Sequence, residues 1–254
     1  MKLDPRAYRA IYTREENHWW FVGRRKILAS LLAPHAARGN GWKILDVGCG
    51  TGGNFPFLGR FGQVEGCDYS EEALRYCRLR GLENVRQADV CDLPYPDRSF
   101  HLVTCLDVIE HIRLDHCAFR ELNRVLVDGG LLLVTLPAMP ELYSDFDCLA
   151  GHLRRYTREE VGRLLDRSGF EKMRITCYTF LAHPVVKLYI KLGDFTGGRA
   201  RYTHGMDTLI PGSNAVLKGL MSLESLLVSR FDLPLGASLA VLARKVRHFS
   251  RDET

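Results

Sequence analysis

Short apolar runs recur along the chain and alternate with amphipathic stretches. Residues 44–47 (ILDV), 63–68 (QVEGCD), 84–90 (NVRQADV), 100–106 (FHLVTCL) and 131–137 (LLLVTLP) are brief, apolar and mostly bounded by glycine, proline or polar turns. Runs of this kind predict buried strands. Between them lie helical patterns. Ser70 opens SEEALRYCRLRG with a cap, early acids and a closing Gly81. Residues 114–130 (LDHCAFRELNRVLVDGG) predict a helix ended by glycines, and 157–170 (TREEVGRLLDRSGF) a helix started by a Thr157–Glu160 capping box. Residues 171–180 and 237–246 predict two more strands. Strands alternating with helices predict a parallel sheet covered on both faces.

Two segments fall outside this alternation. In HWWFVGRRKILASLL (18–32), Trp20, Ile27 and Leu31 form an apolar helical stripe with Leu28, and Arg24 lies inside it. An arginine turned inward needs an anion. Residues 181–236 are too many for a plain connection. They predict two apolar helices, one at PVVKLYIKL and one at SNAVLKGLMSLESLLVSRF. On the second, Val216, Leu220, Leu223, Leu227 and Phe231 share a face that Leu217, Met221 and Val228 widen. Glu224 falls within that arc and should have a partner, such as an arginine. The reading is a helical cap on the core, whose apolar face leaves room for a homodimer or a membrane-surface contact.

Composition narrows the class. The 254 residues are 46% hydrophobic and 26% charged, as in ordinary globular proteins. The N-terminus carries charges where a leader would be apolar, and nothing approaches a membrane span. The eight cysteines form no C-x-x-C pair and suit reduced thiols in a cytoplasmic protein. The net charge of +5 is mild, and the aromatic–basic interleaving near Trp20 is too short to imply nucleic-acid binding.

The chemistry gathers at KILDVGCGTGG (43–53). Gly48, Gly50 and Gly53 fit the dinucleotide fingerprint G-x-G-x-x-G, yet Asp46 stands two residues before the first glycine. A carboxylate there would repel a pyrophosphate and favour a ligand with an amine and a sulfonium, such as S-adenosylmethionine. Asp68 closes the second strand run, where its oxygens can accept ribose hydroxyls in either kind of site. Asp89, near the end of the third run, can accept a bond from an adenine amine.

With these residues in view, the chain resembles the class I S-adenosylmethionine-dependent methyltransferases over roughly residues 40–180. ILDVGCGTG, GCDYS, ADVCDLPYPDRSFHLVTCLDVIEHI and LNRVLVDGGLLLVTLP carry the likeness, nearest to the small-molecule group that includes ubiquinone and menaquinone methyltransferases. The resemblance implies a Rossmann-like α/β fold, a seven-stranded mostly parallel sheet with an antiparallel last strand. An N-terminal helical lid (1–40), a core (41–180), a cap (181–236) and a last strand with tail (237–254) would then form one domain. It implies that Asp46, Gly48, Cys49 and Gly50 lie along the methionine part of the cofactor. Asp68 would hold the ribose and Tyr69 the adenine face. Asp89 with the Val90 backbone would read the adenine edge, and Leu106 would offer its backbone near the amino group. Arg24, with Trp20 beside it, would meet the methionine carboxylate.

Methyl transfer from a sulfonium needs positioning first, and a base only if the acceptor must lose a proton. His111, His152 and Tyr156 are the candidates, beyond the fourth and fifth strands. No metal is assigned. The alternative is a divalent cation on Asp107, Glu110, His111 and His152, like acid-x-x-Glu-His clusters of some O-methyltransferases. Two further classes remain open, a NAD-dependent oxidoreductase and a non-catalytic subunit of the same fold.

Overall fold

The computed structural model describes residues 5–38, 41–181 and 212–247. Two helices, α1 (Pro5–Arg14) and α2 (Trp19–Leu32), precede strand β1 (Trp42–Val47). There follow α3 (Phe55–Leu58), β2 (Gly62–Asp68), α4 (Glu71–Leu79), β3 (Val85–Gln87) and β4 (Phe100–Leu106). Then come α5 (Asp115–Val125), β5 (Leu126–Pro137), α6 (Asp145–Ala150), α7 (Arg158–Arg167), β6 (Phe170–Tyr178), α8 (Ser213–Val228) and β7 (Ser238–Lys245).

The seven strands lie in the order β3-β2-β1-β4-β5-β7-β6, with β7 antiparallel to both neighbours and the other pairings parallel. The chain builds outward from β1 to β3, then returns to place β4 on the other side of β1. That reversal opens a crevice beyond the carboxyl ends of β1 and β4, where open α/β sheets bind ligands. One face of the sheet packs on Phe119 and Leu122 of α5 and Val161 and Leu165 of α7. The other packs on Ile27, Leu28 and Leu31 of α2 and Leu217, Met221 and Val228 of α8.

The sheet therefore agrees with the expected fold, while several local readings are corrected. The third strand ends at Gln87, so Asp89 stands beyond it and pairs only through an isolated bridge to Asp92. α5 stops at Val125 rather than at the glycines, because Leu126 already pairs with Phe100 as the first residue of β5. On α8 the buried side chains are Leu217, Met221, Glu224 and Val228, while Val216, Leu223 and Phe231 of the expected face are exposed. Glu224 decides this rotation. Its oxygens accept the backbone N–H groups of Phe180 and Leu181, each at 3.0 Å, so its partner is main chain and not an arginine. The expected helix at PVVKLYIKL lies outside the described residues. All eight cysteines are free, and Cys148 is exposed.

Candidate active site

The β1–α3 loop is held open by its own backbone. Gly48 and Cys49 both donate to the Cys67 carbonyl, at 2.7 and 2.9 Å, which ties the loop to β2. Gly50 has φ +56°, and a Cβ there would meet nothing within 4 Å. The loop thus presents bare backbone to open space. Gly53 answers a different need, since a Cβ on it would come within 2.1 Å of the Glu15 carboxyl.

Asp46 is 1% exposed at the end of β1. The parallel register sets it beside Thr104, whose hydroxyl donates to Oδ1 at 2.6 Å. Oδ2 is buried with no partner among the described residues. Burial pushes the carboxyl up to about 6, against the pull of Thr104, Arg24 and Asn54, with Asp68 adding to the rise. Oδ2 has room for one further donor or positive group.

Asp68 braces the same loop. Its Oδ2 accepts the Gly50 N–H at 2.9 Å and its Oδ1 the Ser70 N–H at 2.8 Å, while burial raises its carboxyl. Each oxygen keeps acceptor capacity for a further donor. Tyr69 next to it is exposed. Asp89 is exposed and accepts the Cys91 N–H at 2.8 Å; Val90 is buried. Leu106 is buried at the end of β4.

Arg24 does point inward from α2, and its anion is Asp107, with which it forms an ion pair. Asp107 reaches it from a left-handed backbone turn, φ 57°, just past β4. The guanidinium lies 4.6 Å from the Trp20 ring, a cation–π contact, and its Nε is buried without a partner among the described residues. An unpartnered acid oxygen and an unpartnered guanidinium nitrogen therefore belong to the same crevice, where Arg24 also lowers Asp46 electrostatically.

A second cluster lies across the crevice, on the short helical turn Ile109–His111 and the loop after α6. Side-chain atoms of Glu110, His111 and His152 all lie within 4.8 Å of one another. His111 Nδ1 contacts the Gly151 carbonyl at 2.9 Å, and His152 Nδ1 contacts Asp147 Oδ1 at 2.8 Å. A carbonyl only accepts, so His111 Nδ1 carries the proton and Nε2 is its free acceptor. His152 Nδ1 is likewise oriented, here by a carboxylate. Burial, with His152 close by, lowers His111, so it is neutral at physiological pH. Burial and then Asp107 raise Glu110 well above the usual carboxylate range; neither of its oxygens has a hydrogen-bond partner among the described residues, and Oε1 lies 3.8 Å from His152 Nε2. Asp107 is drawn off to Arg24, so of the four candidate metal ligands only Glu110, His111 and His152 converge. Nor does Tyr156 join the two histidines. It is buried with its hydroxyl 3.2 Å from Asp115.

Sequence reasoning missed Glu15. This buried residue after α1 accepts the Thr51 hydroxyl and pairs with Arg80 at 2.7 Å. Arg80 also donates to the Thr51 carbonyl at 2.8 Å and the Tyr12 carbonyl at 2.9 Å. The N-terminal helices are thereby clasped to the glycine loop. Only the third glycine of the fingerprint hinted at so close an approach.

Known proteins resemble this chain in sequence and in fold. Residues 45–134 match the methyltransferase domain family. A probable S-adenosylmethionine-dependent methyltransferase of Mycolicibacterium smegmatis is 32% identical over 162 residues, which cover 62% of this chain and 61% of the relative. The chain thus spans about three-fifths of that relative's length. A demethylmenaquinone methyltransferase of Staphylococcus aureus is 28% identical over 65% of this chain and 73% of its own. Among solved structures, an S-adenosylmethionine-dependent methyltransferase from Mesorhizobium loti superposes with a TM-score of 0.53 over 84% of this chain and 97% of its own, at 20% identity. That likeness shows the fold.

Proposed function

We propose that the chain is a class I S-adenosylmethionine-dependent methyltransferase, as its methyltransferase-domain match and its relatives support, and that it transfers a methyl group from S-adenosylmethionine to a small-molecule acceptor. The observation that carries the reading is the buried Asp46 carboxylate with a partnerless oxygen at the mouth of the glycine loop. A cationic amine or sulfonium relieves it, and a diphosphate would worsen it. The residues fit the cofactor on further grounds. Arg24 Nε offers an unused buried donor to a carboxylate, Gly50 leaves backbone clear, and the Asp68 oxygens can take hydroxyl protons. Tyr69, Asp89 and the Val90 backbone are the groups we assign to the adenine.

When bound, the cofactor supplies a methyl group on a good leaving group. The chain's work is then positioning and exclusion of water. The face opposite the glycine loop offers His111 and His152, whose Nε2 atoms can orient an acceptor or take its proton. The surface beside them is apolar, with Tyr143, Phe146, Leu149 and Leu153 exposed. That collar, with the demethylmenaquinone-methylating relative, supports a quinone-like or lipid-like acceptor. No helix among the described residues is long and apolar enough to cross a membrane, which is consistent with the cytoplasmic placement we propose. Calorimetry with S-adenosylhomocysteine and NADH tests the reading. Only the former should bind, and Asp68→Ala should weaken it by about 1–3 kcal/mol through lost charged hydrogen bonds. NADH binding in its place would refute the proposal.

One observation favours a second reading, metal-assisted O-methylation. Glu110, His111 and His152 converge within 4.8 Å, both histidines are oriented through Nδ1, and Glu110 has two unpartnered buried oxygens. Such orientation is the usual support of metal-binding imidazoles. A cation held there would polarise an acceptor hydroxyl. Titration with Mn²⁺ or Zn²⁺ should show one site that His152→Ala abolishes; equal binding by that variant would discard this reading.

A further inference from the structure

The loop that carries His152 continues into a separate cleft of about 250 Å³, lined by Arg154, Arg155, Tyr156, Arg163 and Arg167 and by the acids Asp115 and Glu160. The acids here are already engaged. Asp115 accepts Arg154 at 3.0 Å and the Tyr156 hydroxyl at 3.2 Å, and Glu160 accepts the Thr157 N–H at 2.8 Å as part of the α7 capping box. Arg155 is paired with Asp147 at 2.9 Å. Arg163 and Arg167 differ. They stand one turn apart on α7, both exposed, and neither has an ion pair or hydrogen bond among the described residues. Like charges at this spacing repel each other, so their convergence on one concavity asks for an anion.

We propose that this cleft binds a phosphoryl anion, at a site distinct from the glycine-loop crevice. A guanidinium is a planar fork that matches phosphate oxygens in pairs. Arg154, fixed by Asp115 and by the Arg113 carbonyl at 3.1 Å, supplies an anchored donor, and Arg163 and Arg167 supply two adjustable ones. The exposed Leu153, Leu149, Phe146 and Tyr143 lie on the chain just before Arg154 and suit an apolar body attached to such a head. The phosphoryl group can come from a soluble phosphate ester or from an anionic lipid headgroup. Occupancy would also steady the loop that bears His152, since Leu153 N–H is held by the Glu110 carbonyl at 2.8 Å.

The test uses the full chain and two probes. Inorganic phosphate is titrated by calorimetry at constant ionic strength. Phosphatidylcholine vesicles, with and without phosphatidylglycerol, are used in sedimentation. The double variant Arg163→Glu, Arg167→Glu should lose at least tenfold in whichever arm the native chain binds, and the double lysine variant should lose less. Phosphate binding alone identifies a soluble source, and sedimentation only with phosphatidylglycerol identifies the lipid. Binding in neither arm, or binding that both variants leave unchanged, overturns the proposal. S-adenosylhomocysteine affinity, measured on the same samples, should be the same in all variants, which separates this outcome from that of the methyl-transfer reading.

Discussion

Replacing Asp46 by asparagine separates what this side chain costs the fold from what it does for a ligand. Its carboxyl is raised from 3.8 to about 6 in the folded chain. The ionised form is therefore disfavoured by folding, and the penalty is absent well below pH 3.8, grows as pH rises from 3.8 to about 6 and is constant above that. Once the group is fully ionised the cost is on the order of 3 kcal/mol. Asp46→Asn keeps an oxygen for the Thr104 hydroxyl and removes the charge. The unliganded variant should melt higher than the native chain at pH 7.5 and lose most of that advantage at pH 4, while its affinity for S-adenosylhomocysteine falls at least tenfold. Thermal melts and calorimetry check both halves. A variant no more stable at pH 7.5 would mean that Asp46 is not strained by burial.

At the scale of elements, the central strands were legible because β1, β4, β5 and β7 are mostly buried apolar runs, whereas the rotation of α8 was not. Its wheel carries two overlapping apolar stripes, and hydrophobicity alone cannot choose between them. The choice falls to Glu224, which must meet the amides of Phe180 and Leu181, more than forty residues upstream in the chain. Glu224→Ala leaves both amides without their acceptor and should cost about 2–3 kcal/mol in denaturant unfolding, with Glu224→Gln intermediate. The same limit hid the partner of Arg24. The inward arginine could be read from its stripe, but Asp107 could not, since only the fold brings residues 24 and 107 together. The clasp of α1 on the glycine loop was equally hidden. Gly53→Ala tests it, because the added methyl must displace the Glu15 carboxyl from Thr51 and Arg80. Faster amide exchange in α1 and loss of about 1–3 kcal/mol are expected.

For the whole molecule, the sheet order explains how residues far apart in sequence come to the reversal between β1 and β4. β1 and β4 lie side by side at the reversal, so Asp46 sits beside Thr104, with Arg24 close enough to act on it and the Arg24–Asp107 pair just past β4. The α/β alternation announced this crevice, and Asp46, Asp68 and the glycines marked its edge. The pairings that close it depend on contacts far apart in sequence. Ligand binding at such a junction should stabilise the entire chain, and Asp46 sets the pH at which it does. At a hundredfold excess over its dissociation constant, a ligand adds about 2.7 kcal/mol, or roughly 5–10 °C in melting temperature for a chain of this size. S-adenosylhomocysteine should give that shift at pH 7.5. Its ammonium favours the ionised Asp46, so affinity must fall as protons begin to compete, and the shift should shrink as pH drops through about 6. Asp46→Asn should give a smaller shift that no longer changes across this interval. A native shift that stayed constant from pH 7.5 to pH 5 would place the ammonium away from Asp46 and remove the electrostatic basis for choosing a sulfonium cofactor over a diphosphate.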